Sequence, residues 1–219
     1  MKITDVEIFV VDGGRRPWLF SAVRTDAGIT GYGEFGTGVA AHALVGLIED
    51  FKPHVIGKDP EAVEKLYFDL YRLMRQAPGG LVNMGIAAIE LACWDIKGKA
   101  MGVPVNNLLG GPYRDKQRVY WSHLASARAG DPTLAPDKPL KDWAAVAAAA
   151  QEDPAAGYTA FKTNILWPGE TPRAISQSRD GKSHDQRADT DVVRHATKQI
   201  EVMRDAVGDD VDILLDINY

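Results

Sequence analysis

Hydrophobic and polar positions alternate over residues 2–11, where Val6, Ile8 and Val10 share one face, and this period of two predicts a strand. The stretch WLFSAVRTDAGITGYGE adds two strand-like arms around Asp26-Ala27-Gly28, which is turn chemistry, so a small antiparallel meander is expected. The period then becomes helical. Val39, Leu44, Leu47, Ile48 and Phe51 recur at helical spacing. A second helix is expected to open at Asp59-Pro60, an N-cap followed by Pro at the first helical position. It carries Val63, Leu66, Tyr67, Leu70, Tyr71 and Met74 on one face. A third runs from about Met84 to Met101 and stops at Gly102 and Pro104.

After Leu108-Leu109-Gly110-Gly111-Pro112 the rhythm changes. QRVYWSH (117–123) reads as a strand, 140–151 as an Ala-rich helix, YTAFKTN (158–164) as a strand, and 190–207 as a helix striped by Ile200, Met203 and Val207. VDILLD reads as a third strand. Strands alternating with helices predict the opening of a parallel βα structure. Two domains follow: an α+β domain over 1–113 and the first three strands of a barrel-type βα domain over 114–219. The segment 165–188 is too long and polar for a routine connection. It is either a solvated loop or a wall over a site, with Arg173, Arg179, Lys182 and His184 within reach of an anion.

Strand alternation also sorts the candidate chemistry. Ala160, Lys162 and Asn164 share a face, as do Leu214, Asp216 and Asn218, while Phe161, Thr163, Ile213, Leu215 and Ile217 take the opposite faces. With the bulky apolar sets against helices, Lys162 and Asp216 stand at the inward, C-terminal ends of neighbouring strands, where barrel enzymes build their sites. Two readings stay open: a structural ion pair, or a hard oxygen ligand for Mg²⁺ beside a cation that stabilises or deprotonates an anionic substrate.

Composition narrows the field. The net charge is −5 with no basic block, which argues against nucleic-acid partners and anionic membrane surfaces. Apolar runs are short and broken by charge, so no bilayer span is expected, and acids at Asp5 and Glu7 interrupt any signal-like N-terminus. The single Cys93 excludes an internal disulfide, fits a cytoplasmic location, and reads as a packing residue. The contiguous Ser183-His184-Asp185 does not read as a triad, whose members converge from separate elements.

AAIELACWDIKGKAMGVPVNNLLGG (87–111) resembles the signature of the mandelate racemase branch of the enolase superfamily. Its marks are Asp95 and Lys99 one turn apart, then Gly102-x-Pro104 and Leu108-Leu109-Gly110-Gly111. GYGE (31–34) and Asp216-Ile217-Asn218 fit the same family. The resemblance implies that 1–113 is the capping domain and that Asp216 is the first of three acidic Mg²⁺ ligands. It also implies abstraction of the proton next to a substrate carboxylate, with a Lys or His as base and Mg²⁺ stabilising the enediolate that forms. The family's second strand usually reads K-x-K with the second Lys as base. Lys162-Thr163-Asn164 departs from it, because an amide accepts no proton at neutral pH.

A racemase needs a base on each face of its substrate, whereas a dehydratase can work with one. The expected function is therefore a Mg²⁺-dependent sugar-acid dehydratase that releases a 2-keto-3-deoxy acid, with Lys162 and Asn164 in the catalytic set. A racemase or epimerase is the alternative on the same fold, and a non-catalytic fragment the alternative of another class. The chain reads as the N-terminal part of a longer protein, since three strands cannot close an eight-stranded barrel. Arg15, Arg16 and Trp18, in the loop after the first strand, are expected to contact the substrate, together with His123 and Asn218. The partner expected is a small carboxylate, acted on by a cytoplasmic homo-oligomer.

Overall fold

The computed structural model describes every residue except 15, 38–39, 77–78, 175–189 and 218–219. It divides into two compact units, Met1–Asp115 and Lys116–Tyr219.

In the first unit, β1 (Ile3–Asp12), β2 (Pro17–Thr25) and β3 (Thr30–Thr37) form an antiparallel sheet in the order β1-β2-β3. The turn between β2 and β3 places Gly28 at φ +75°, a conformation that glycine adopts without steric cost. Three helices follow, α1 (Ala41–Val55), α2 (Val63–Leu73) and α3 (Gly80–Met101). Ile3, Val6, Leu19 and Val23 from the sheet meet Leu44, Ile48 and Phe51 of α1, Leu66 and Leu70 of α2, and Ile86, Ile89 and Ile96 of α3 in one core. Val63, Leu66 and Leu70 are buried, with Tyr67, Tyr71 and Met74 packed beside them, as the helical stripe requires. The start of α2 differs from expectation. Asp59 does not cap it; its Oδ1 accepts from the Glu61 N–H and its carbonyl from the Ala62 N–H, closing a separate turn before the helix begins at Val63.

The GYGE segment and the Asp95/Lys99 pair form one device. A Cβ on Gly31 would lie 2.0 Å from the Ala92 carbonyl oxygen, and one on Gly33 2.9 Å from that of Ala88, so β3 can lie against α3 only with glycine at these positions. Asp95 Oδ2 accepts from the Tyr32 N–H (2.8 Å), and Lys99 Nζ donates both to the Thr30 carbonyl (2.8 Å) and to Asp95 (2.6 Å). Buried Ser21 donates to the Ala88 carbonyl at 2.6 Å. α3 ends at Gly102, whose φ of +67° forms the left-handed cap, and a short α4 (Val105–Leu108) follows.

The second unit contains α5 (Ser126–Gly130), α6 (Trp143–Ala155), β4 (Ala160–Thr163), β5 (Leu166–Trp167), β6 (Arg173–Ala174), α7 (Thr190–Val207) and β7 (Asp212–Leu215). Asp142 caps α6 through Oδ1 and the Ala145 N–H (2.8 Å). β4 and β7 pair in parallel, with Lys162 opposite Leu214 and Thr163 opposite Leu215. Phe161, Val146, Ala150 and Met203 are fully buried at the centre of a second core. Burying Phe161 alone is worth about 2–3 kcal/mol.

The expected strand at 117–123 is reduced to a single parallel bridge between Trp121 and Phe161. The Trp121 N–H bonds the Ala160 carbonyl and the Lys162 N–H bonds the Trp121 carbonyl. The chain then turns sharply at 122–125, where His123 and Ala125 take positive φ, and the ladder cannot continue. Within 165–188, the described part holds the β5–β6 antiparallel pair, with Arg173 stacked over the Trp167 ring at 5.3 Å. Arg179, Lys182 and His184 lie outside the described residues. No described helix is long and apolar enough to cross a membrane.

Candidate active site

Parallel pairing puts Lys162 and Asp216 on one face. Lys162 registers with Leu214, so Asp216 stands two residues further along β7's line, and its N–H still bonds the Thr163 carbonyl (2.8 Å). The long Lys stem spans this diagonal, and Nζ reaches Asp216 Oδ2 at 2.9 Å, with both side chains about a quarter exposed. The carboxylate raises the Lys162 pKa above its ordinary value, chiefly through this hydrogen bond, so Lys162 is a cation at neutral pH rather than a ready base. Tyr120 also meets it, its ring centroid 5.8 Å from Nζ.

Asn164 sits just past β4 and is 2% exposed. Its Oδ1 lies 2.9 Å from His123 Nδ1 and accepts from Ser126 Oγ at 3.0 Å, while its Nδ2 donates to the Asp216 backbone carbonyl at 3.0 Å. Buried Gln199 of α7 accepts from the Leu166 N–H (2.7 Å) and donates to the Asn164 carbonyl (2.8 Å), so the peptide groups at the strand end are satisfied. The structure thus brings together Lys162, Asp216, Asn164 and His123. Tyr120, Ser126 and Gln199 belong to this cluster and escaped the sequence reading. A lone hydroxyl or amide inside an otherwise ordinary segment has no periodic signature.

Of the other expected site residues, Arg16 and Trp18 belong to the first unit. Arg16 is exposed. The Trp18 ring lies over Gly13, where an added Cβ would stand 2.3 Å from it, so Trp18 shapes the β1–β2 turn. Arg15 and Asn218 lie outside the described residues. Cys93 is buried and its thiol is pushed up to about 12 by desolvation, which leaves it inert.

Mg²⁺ requires several hard oxygens in octahedral array. Asp216 offers one carboxylate, a group with about four acceptor positions of which Lys162 takes at least one. Asp216 therefore fits as a single ligand. Among the described residues no group of three His, Cys, Asp or Glu side chains converges to complete a site.

Residues 9–110 match the family model described as the mandelate racemase / muconate lactonizing enzyme N-terminal domain. Over these residues the chain carries the N-terminal domain of the mandelate racemase / muconate lactonizing enzyme family. The chain is 44% identical over 103 residues to a D-galactonate dehydratase of Xanthomonas axonopodis pv. citri (strain 306), covering 47% of the chain and 27% of the relative. It is 32% identical over 222 residues to a D-xylonate dehydratase of Haloferax volcanii, covering 100% of the chain and 48% of the relative. Among solved structures, it resembles a Burkholderia xenovorans strain LB400 protein provisionally described as an L-alanine-DL-glutamate epimerase and bound to magnesium and fumarate. There the TM-score is 0.88 at 33% identity, covering 100% of this chain and 55% of that one. The chain spans about half the length, or less, of these relatives.

Proposed function

We propose that the chain serves a Mg²⁺-dependent dehydratase of sugar acids, an aldonate or aldarate being converted to a 2-keto-3-deoxy acid. The observation that carries this reading is the Lys162–Asp216 juxtaposition at the C-terminal ends of paired parallel strands. Similarity to D-galactonate and D-xylonate dehydratases supports it.

In this reading Asp216 is one metal ligand. Mg²⁺, when bound, supplies Lewis-acid stabilisation of negative charge on the substrate carboxylate. Lys162, held as a cation, adds a fixed positive charge where that anion develops, and its contacts with Asp216 and Tyr120 keep it in place. Asn164, whose amide meets His123, Ser126 and the Asp216 backbone, orients the strand ends.

A racemase or epimerase is the second reading, favoured by the likeness to the Burkholderia protein. Incubation with D-xylonate or D-galactonate and Mg²⁺ in D₂O separates the two. Accumulation of a 2-keto-3-deoxy acid supports the dehydratase. Recovered substrate that is deuterated in both configurations, without keto acid, replaces it by the racemase.

A further inference from the structure

The geometry points to Asn164 as a positioning residue that holds His123 in its Nδ1–H tautomer, which leaves the Nε2 lone pair as a proton acceptor of the site. The role in turnover rests on the dehydratase reading; the tautomer does not.

Hydrogen-bond logic settles the orientation of each group. The Asp216 backbone carbonyl can only accept, so the Asn164 atom 3.0 Å from it is the NH₂ nitrogen. The amide oxygen is then the end that faces Ser126 Oγ and His123 Nδ1. An amide oxygen only accepts as well, so His123 Nδ1 carries the hydrogen. A neutral imidazole has one ring hydrogen, and Nε2 is therefore bare. Among the described residues Nε2 has no hydrogen-bond partner, and His123 is exposed whereas Asn164 is buried. The orienting bond is thus part-buried and anchored on a buried amide, while the His123 side chain itself is exposed.

Backbone strain supports a purpose for this placement. His123 and Ala125 sit at φ +58° and +61°, positions that cost non-glycine residues on the order of 1–2 kcal/mol each. Neither position is glycine, although glycine would adopt the turn freely. The Leu124 N–H to Lys162 carbonyl bond and the Thr163 hydroxyl to Leu124 carbonyl bond (both 2.9 Å) hold the turn against that strain. What the turn achieves is to swing His123 off the strand line and onto Asn164.

The departure from K-x-K gains a physical meaning. Asn164 stands where the family resemblance places a Lys base. It cannot take a proton, but it presents a neighbour that can. In the proposed step the C–H bond next to the carboxylate breaks, its electron pair stays on the substrate, and the proton forms a bond to Nε2. The resulting imidazolium keeps Nδ1–H on Asn164. When the β-hydroxyl leaves, the same proton departs with it as water, so the residue returns to its starting state. An uncharged amide partner holds the ring in one tautomer without adding a charge beside it.

Long-range ¹⁵N–¹H NMR of the histidine rings in this chain at about pH 8 tests the proposal, with H123N identifying the signal. A bare Nε2 and a protonated Nδ1 are expected for His123. N164A loses this pattern, S126A keeps it, and N164D keeps it while moving the titration of His123 to higher pH. Should N164A fail to fold, N164D carries the test. An Nε2–H tautomer in the native chain, or an unchanged titration in folded N164D, overturns the proposal. In turnover of D-xylonate with Mg²⁺, H123N lowers kcat by about 100-fold or more and abolishes the acidic limb of the pH profile. An unaltered limb overturns the acceptor role. The ring spectrum needs no substrate, so its outcome stands apart from whether any keto acid forms.

Discussion

Lys162 Nζ lies 2.9 Å from Asp216 Oδ2 across two adjacent parallel strands. As a partly exposed ion pair it contributes at most about 1 kcal/mol to folding. Under the proposed dehydratase reading it contributes far more to turnover. K162M is therefore expected to shift the urea midpoint by no more than that small amount, while dehydration of the sugar acid falls by about 100-fold or more. D216N should behave likewise and also weaken Mg²⁺ binding in calorimetry. Strong destabilisation by K162M with turnover intact would mark the pair as structural.

Gly31 packs against the backbone of α3. An Ala Cβ there would meet the Ala92 carbonyl oxygen at 2.0 Å, and neither backbone can yield without breaking the Asp95 and Lys99 bonds to β3. G31A is expected to destabilise the first unit by about 3 kcal/mol or more, read as a lowered thermal midpoint. G46A, at a site with nothing within 4 Å of the new Cβ, serves as the control and should not lower it.

His195 is clasped between Trp167 (centroids 4.6 Å, planes 17° apart) and Trp143 (4.9 Å), and among the described residues its buried Nε2 has no partner. Burial pushes its pKa below the ordinary 6.5, with Arg173 acting in the same direction and a hydrogen bond to Leu166 opposing. The unfolded chain thus takes up a proton more readily than the folded one. The contribution is whole above 6.5 and is lost as pH falls below that value. H195F, which retains an aromatic stack, is expected to lose less thermal stability than the native protein between about pH 7.5 and about pH 5.5. Parallel losses in the two proteins would refute this.

Asp153 is fully buried near the C-terminus of α6, and among the described residues neither carboxylate oxygen has a partner. Burial raises its pKa above 3.8. Here the folded state binds the proton more tightly, so the charged group destabilises the fold at neutral pH and the penalty is relieved as pH falls through the folded value. The helix dipole adds to the penalty, since the negative charge stands at the negative end. D153A is expected to raise stability at neutral pH by about 1 kcal/mol or more, measured by urea denaturation. A lowered midpoint would reveal a stabilising role for the carboxylate.

Much of the architecture was legible along the chain. The stripe of α2 appears where its periodicity puts it, because the helix buries one face and the apolar residues must recur at its pitch; of the faces expected for β1 and α7, Val6, Ile8, Met203 and Val207 pack inward, whereas Val10 is exposed and Ile200 stands outside the second core. The strand at 117–123 was not, since Val119 and Trp121 suit a strand wherever they occur, and only the turn at 122–125 decides that pairing stops at one bridge. The cap of α2 failed for a similar reason. Asp-Pro favours a turn as readily as a helix start, and Asp59 closed the turn.

At the site, the shared face of Lys162 and Asp216 followed from alternation and parallel pairing, which are local rules. Which partner each polar group takes did not. Asn164 looked like a side chain for the substrate, yet the fold surrounds it with His123, Ser126 and the Asp216 carbonyl and uses every end of its amide.

By itself the sequence determined the three-stranded meander, the long helices, the parallel pair of strands and the carboxylate at position 216, because these depend on period and residue type. Only the tertiary structure decided that GYGE and Asp95/Lys99 form one strand–helix fastening and that His123 is turned onto Asn164. Both depend on backbone approach and hydrogen-bond direction between segments distant along the chain, and no local pattern encodes these.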